Sequence, residues 1–295
     1  MNNGSGAARG HALVDPGRLL DVLGVESELL AACAHDQDPD LAVPSCPGLT
    51  VGETVRHVAS SYRMVLAWLR DGYRPRTWRE DPRPDESLTD FLRSGARRLL
   101  AELAAHEPDE PCPTWWPTEA NYGFWRRRLV HETTVHRVDV QSALGQPLAP
   151  VADDVALDGV DEVLSLWFTH RLAVLGVTGP RRGSVAVRTG GRVWVARGGP
   201  DGTAGWRAAP EAGQVRVGGG ADRPGGTDQS DVDRSDVDGQ GPGSGAGEWV
   251  DAEVSGSPMD VYLWLWGRLP NRAVHVTGDD DAVAQLWALL RLATR

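Results

Sequence analysis

Apolar residues recur at helical spacing through the first part of the chain and at strand spacing thereafter. Helical patterns run from Pro16 to Asp36, Thr50 to Asp71, Ser87 to His106, Ala120 to Leu144 and Asp153 to Leu175, with proline-rich joints at Arg74 to Pro84 and Glu107 to Pro117. Thr50 followed three residues later by Glu53 is a capping box and marks the start of the second helix. Helices of this kind bury their stripes against one another, so the first half is predicted to be a helical bundle. After Gly176 the period shortens. Ser184 to Arg188 and Arg192 to Ala196 alternate around Gly190-Gly191, the pattern of a β-hairpin. A strand from Trp249 to Val254, a helix from Ser257 to Trp266, a strand from Ala273 to Thr277 and a helix from Asp281 to Leu292 complete a small α+β domain. The expected organisation is a disordered leader at 1–12, a bundle at 13–176 and an α+β domain at 177–295.

Residues 213–247 are rich in Gly, Asp and Ser and almost free of large apolar side chains. Such a stretch buries too little surface to offset its ordering entropy, and a disordered insert is expected. The tandem Ser230 to Asp233 and Ser235 to Asp238 fails the calcium-loop template, because Arg234 occupies the first ligand position and no Glu closes the loop.

The fourth helical pattern holds an anomaly. Its inner stripe steps through Trp125, Leu129, Glu132, His136, Val140 and Ala143, so a carboxylate and an imidazole lie one turn apart where apolar residues are expected. Burying both without a partner is costly, and a metal ion satisfies them together. In the second helix His57 borders the stripe Val51, Val55, Val58, Tyr62, Val65 and Leu69, within reach of a packed neighbour. Two imidazoles and one carboxylate suit Zn²⁺ or another divalent metal and leave a fourth position open. A hydrogen-bonded polar cluster without metal is the alternative on residue types alone. Asp139 and Glu53, one turn from His136 and His57, are candidates to orient the imidazoles. His131 points about 100° away from Glu132 on an ideal helix, off that face. His170 and His275 lie in apolar patterns and read as packing residues.

Three segments, taken in order, resemble the mycothiol-dependent maleylpyruvate isomerase family of actinobacteria. They are Val43 to His57 with its Pro47-Gly48-Leu49-Thr50 turn, Phe124 to Asp139, and Ser255 to Arg268 followed by Gly278-Asp279. Leu49 stands where the family usually carries Trp, and the glycine-rich insert is a second departure. The resemblance implies a DinB-like four-helix bundle binding Zn²⁺ through His57, Glu132 and His136, followed by an α+β domain of the sterol-carrier-like kind. It also implies mycothiol as the thiol cofactor or co-substrate and a small electrophile as substrate.

Composition narrows the function classes. All thirty basic residues are Arg, the net charge is -11, and no basic face dominates, which argues against nucleic acid. The Arg126, Arg127, Arg128 run reads as a solvated helix face or as side chains that hold the last turn's neighbours, in preference to a phosphate site. No apolar stretch is long enough for a membrane span or a signal-peptide core, so a cytoplasmic protein is expected, a monomer with a homodimer as the alternative. Cys33, Cys46 and Cys112 occur singly, giving neither a disulfide framework nor a cysteine zinc site, and Cys46 reads as a small apolar filler.

A metal with an open position stabilises a thiolate at neutral pH. With that chemistry, the resemblance implies maleylpyruvate isomerase-like isomerisation, or thiol transfer to a small electrophile. Arg268 is the candidate catalytic contact to an anionic group, because its planar fork matches a carboxylate; its other reading is a helix-end Arg on the last carbonyls. The same three ligands would serve a metal-dependent hydrolase, and a non-catalytic metal- or ligand-binding module is the third class.

Overall fold

The computed structural model of the chain describes residues 12–208, 215–218 and 248–294. It divides into two compact units that part between Gly159 and Val160. The N-terminal unit is a helical bundle and the C-terminal unit is α+β.

In the N-terminal unit α1 (Pro16–Ala34), α2 (Val51–Asp71), α3 (Leu88–Ala104) and α4 (Tyr122–Ala143) start at side-chain caps. Asp15, Thr50, Ser87 and Asn121 each accept from backbone N–H groups that the helix leaves unpaired. The capping box is present in full, with Glu53 accepting from the Thr50 N–H and Thr50 Oγ1 from the Glu53 N–H. Helices α1 and α2 each pack on both α3 and α4. The apolar stripe of α2 sits in the core through Val51, Val55, Val58, Tyr62 and Val65, and Tyr62 Oη pairs with Thr133 Oγ1 of α4 at 2.6 Å.

Helix α4 is buried on almost every side, and this rules out the solvated face as the reading of its arginine run. Arg126, Arg127 and Arg128 are buried, not solvated. Arg126 donates to the carbonyls of Leu103 and His106, at the end of α3. Arg127 donates to Asp158 at 3.0 Å, and His131 Nε2 lies 2.9 Å from the same carboxylate oxygen. Arg137 is fully buried and pairs with Glu26 of α1. A helix enclosed by neighbours can carry charge only where a partner reaches each group, and each of these has one.

The C-terminal unit has a five-stranded sheet in the order β3-β2-β1-β6-β7, from β1 (Gly183–Thr189), β2 (Arg192–Gly199), β3 (Gly202–Arg207), β6 (Ala252–Ser255) and β7 (His275–Gly278). The hairpin forms as expected, with Gly190 and Gly191 both at positive φ, as a two-residue turn requires. Strand β1 pairs parallel with β6, and α7 (Pro258–Leu265) and α8 (Asp280–Ala293) follow β6 and β7. The expected strand Trp249 to Val254 is divided at Asp251, whose carboxylate accepts from the N–H and hydroxyl of Ser184. Its first part, β5 (Trp249–Val250), pairs parallel with β4 (Arg216–Val217).

Strand β4 lies inside the stretch expected to be disordered. Val215 and Val217 pack on Ala186, Val195 and Val250, which supplies the apolar burial its surroundings lack. The rest of the insert, its tandem repeat, and the leader up to His11 lie outside the described residues.

The units part earlier than the expected boundary at Gly176. Helix α5 (Asp153–Glu162) runs into a π-helix, Val163–Arg171, and a last turn α6 (Leu172–Leu175). The π-helix belongs to the sheet: Thr203 Oγ1 donates to the Phe168 carbonyl at 2.6 Å, and the Gly205 N–H to Thr169 Oγ1 at 2.7 Å. Trp194 Nε1 of β2 donates to Asp161 at 2.8 Å. Periodicity sees one continuous helix and is blind to which core each turn enters.

Candidate metal centre

Glu132 and His136 lie one turn apart on α4, and α2 brings His57 to them. His57 Nε2 is 2.9 Å and His136 Nε2 3.4 Å from the same oxygen, Glu132 Oε1. The two imidazole rings meet edge to face with centroids 5.0 Å apart. One donor atom from each residue lies within 4.8 Å of the other two. Bonds of about 2.0–2.2 Å in tetrahedral geometry put ligand atoms roughly 3.3–3.5 Å from one another, so the donor set fits a zinc-sized ion with small side-chain adjustments.

These are the wetter positions of a buried helix. The side chains of His57, Glu132 and His136 keep 23%, 21% and 12% exposure, while Arg127, His131, Arg137 and Asp139 on the same or opposing faces are sealed. The stripe expected to enter the core therefore keeps partial exposure at its polar positions. Trp78, in the irregular segment after α2, packs edge-on against the His57 ring with centroids 5.4 Å apart.

Glu132 and His136 are each held from behind. Arg128 Nη2 sits 3.2 Å from Glu132 Oε2, which leaves Oε1 to the histidines and favours a one-oxygen ligand. His136 Nδ1 lies 3.0 Å from Asp139 Oδ2. A carboxylate only accepts, so Nδ1 carries the proton and Nε2 is the nitrogen presented to the site. Asp139 itself is fully buried and accepts from Ser45 Oγ at 2.6 Å and Cys46 Sγ at 3.4 Å. Burial alone would lower the pKa of His136, but the hydrogen bonds to Asp139 and Glu132 outweigh it and raise it to about 9. Burial opposes ionisation of Glu132, yet its bonds to His136 and His57 hold it well below the usual carboxylate range. His136 thus carries positive charge beside the Glu132 carboxylate.

The remaining sequence candidates fall differently. Asp139 takes the orienting position anticipated for it. Glu53 does not: it closes the capping box and lies 3.9 Å from Arg56. Cys46 is a polar neighbour of Asp139, not an apolar filler, and with His136 and Asp139 it forms a second group of donors within 4.8 Å. Burial pushes the other two thiols up, Cys33 to about 11 and Cys112 to about 12. His131 is off the metal face, as expected, on Asp158. His275 is exposed on β7 and His170 is half-buried in the π-helix, so neither is a core packing residue. In the C-terminal unit Arg268 follows α7 and donates through Nη1 to the carbonyl of Trp266 at 2.7 Å. Sequence reasoning missed Ser45, which has no periodicity to distinguish it, and Arg128, whose i,i+4 spacing to Glu132 was the available signal.

A sequence profile of the family described as the mycothiol maleylpyruvate isomerase N-terminal domain matches residues 23–141. No curated protein sequence matches the chain. Among solved structures, a crystal structure of the mycothiol-dependent maleylpyruvate isomerase superposes with a TM-score of 0.52 at 12% identity, covering 90% of this chain and 95% of that one. A histidine-to-alanine mutant of that enzyme gives a TM-score of 0.54 at 13% identity, with the same coverage. At these identities the structures are relatives in fold.

Proposed function

We propose, from the match of residues 23–141 to the mycothiol maleylpyruvate isomerase N-terminal domain family, a zinc- or other divalent-metal enzyme that uses mycothiol on a small electrophile. The reaction is an isomerisation of the maleylpyruvate type or an S-transfer. The observation that carries the reading is the convergence of His57 Nε2, Glu132 Oε1 and His136 Nε2 in a partly open site, with Asp139 behind His136. A bound divalent ion would supply a Lewis-acidic position that stabilises a thiolate at neutral pH.

The chain's own residues do the rest. His57 and His136 offer neutral nitrogens and Glu132 one negative charge, so a dication in this set keeps a net positive charge to attract an anionic sulfur. Asp139 fixes the His136 ring. Arg128 holds Glu132 and adds positive charge beside it. Arg268, which donates to the Trp266 carbonyl in the C-terminal unit, remains the candidate in this reading for binding an anionic group of the electrophile.

The test is to incubate metal-loaded full-length protein with mycothiol and a panel of electrophiles, including maleylpyruvate, and to follow products by mass spectrometry. A thioether or an isomer that depends on both metal and mycothiol supports the proposal. Turnover that is independent of mycothiol refutes the thiol role.

A further inference from the structure

Asp139 is a buried carboxylate whose acceptor positions are taken from two directions. His136 Nδ1 approaches Oδ2 at 3.0 Å, and the Ser45 hydroxyl donates to Oδ1 at 2.6 Å, with the weaker Cys46 thiol at 3.4 Å from Oδ2. Ser45 and Cys46 sit in a turn closed by three backbone bonds, Val43 N–H to the Leu49 carbonyl, Cys46 N–H to the Val43 carbonyl and Leu49 N–H to the Cys46 carbonyl. Pro44 and Pro47 restrict this turn, and Gly48 at φ 94 supplies the backbone reversal. The chain leaves the turn directly into the Thr50 cap of α2, the helix that carries His57.

The Ser45 to Asp139 bond therefore joins the entry of α2 to α4, and so links the segments that supply the separate ligands. An aspartate free to rotate about its last torsion, which is broad and roughly two-fold, would hold the imidazole in no single orientation. The short bond to Oδ1 restrains that torsion. We propose that Ser45 is a positioning residue for the metal centre: through Asp139 it fixes the ring orientation and Nδ1–H tautomer of His136, so that Nε2 is presented to the ion. This rests on the metal reading given above, and it adds a residue outside the ligand set. Ser45 touches neither the ion nor the substrate in this account.

The experiment compares full-length wild type with Ser45→Ala, Ser45→Thr and Cys46→Ala. Zinc affinity is measured by competition with a chromogenic chelator, the cobalt(II) d–d spectrum reports ligand geometry, and the metal-free melting temperature reports the fold. Loss of an outer hydrogen bond to a ligand typically weakens metal affinity by about 10- to 100-fold. Ser45→Ala is expected to weaken zinc by about 10-fold and shift the cobalt spectrum, with the metal-free melt little changed. Ser45→Thr, which keeps the hydroxyl, is expected to restore both readouts, and Cys46→Ala to stay within about twofold of wild type because the thiol is a weak donor. Wild-type zinc affinity and cobalt spectrum in Ser45→Ala overturn the proposal, as does a weakening that Ser45→Thr fails to restore. The metal reading fails separately: a wild type that takes up no zinc overturns the centre and this inference with it, whereas one zinc in wild type and an equal affinity in Ser45→Ala overturns the inference alone.

Discussion

Replacing Asp158 by Asn tests whether the charges around α4 hold the bundle together. Asp158 is fully buried and accepts from Arg127 Nε at 3.0 Å, sits 2.9 Å from His131 Nε2 and takes the Leu13 N–H at 2.5 Å. Burial would raise its pKa, but the Arg127 guanidinium and the His131 bond pull it down to about 2. Against an ordinary value near 3.9, a folded value of about 2 corresponds to roughly 2–3 kcal/mol of stability at neutral pH. Removing the charge also strands a buried guanidinium, and breaking buried pairs commonly costs about 3–5 kcal/mol. A loss of about 3 kcal/mol is expected, which for a domain of this size lowers the melting temperature by roughly 6–12 °C. Circular dichroism melts and urea titrations at pH 7 measure it. The pH dependence has a definite sign. A depressed carboxylate contributes its stability fully above its unfolded pKa and loses it as pH falls through the folded value, so the gap between wild type and Asp158→Asn should narrow from about pH 4 towards pH 2. A loss below about 1 kcal/mol at pH 7 would refute the assignment of Asp158 as the buried counter-charge.

Further outcomes follow from the site. Because His136 is raised to about 9, it holds a proton at neutral pH that the ion must displace. Calorimetry of zinc binding in buffers of different ionisation enthalpy should show about one proton released at pH 7, with affinity rising with pH and levelling above about 9; no proton release would contradict the Asp139 and Glu132 bonds as the cause of the shift. Arg268→Lys keeps the charge and loses the planar fork, so kcat/KM for an anionic electrophile should fall more than for a neutral one, and equal losses would confine Arg268 to the Trp266 carbonyl.

Much of the bundle was legible because its information is local. Stripes at i, i+3 and i+4, the capping box at Thr50, and the Gly190-Gly191 turn each follow from a few adjacent residues. The meeting of His57 with Glu132 and His136 was suggested by polar residues interrupting or bordering apolar stripes. The pairings of Arg127 with Asp158 and Arg137 with Glu26 were not legible, since a run of arginines on one helix looks the same whether solvent or a carboxylate 31 or 111 positions away receives it. Ser45 was invisible for the same reason, lying 94 positions from Asp139 in a proline-rich turn with no period to break. The boundary within α5 was missed because helical periodicity continues unbroken through Glu162 while its packing partner changes to the sheet.

The central claim joins a metal held by His57, Glu132 and His136 to a thiol substrate, and cobalt-loaded protein tests both at once. Adding mycothiol should produce a new thiolate-to-cobalt charge-transfer absorption in the near ultraviolet. The band should be absent with S-methylated mycothiol and absent in His136→Ala, which removes a ligand. A cobalt spectrum that mycothiol leaves unchanged, in wild-type protein carrying one cobalt per chain, contradicts the account.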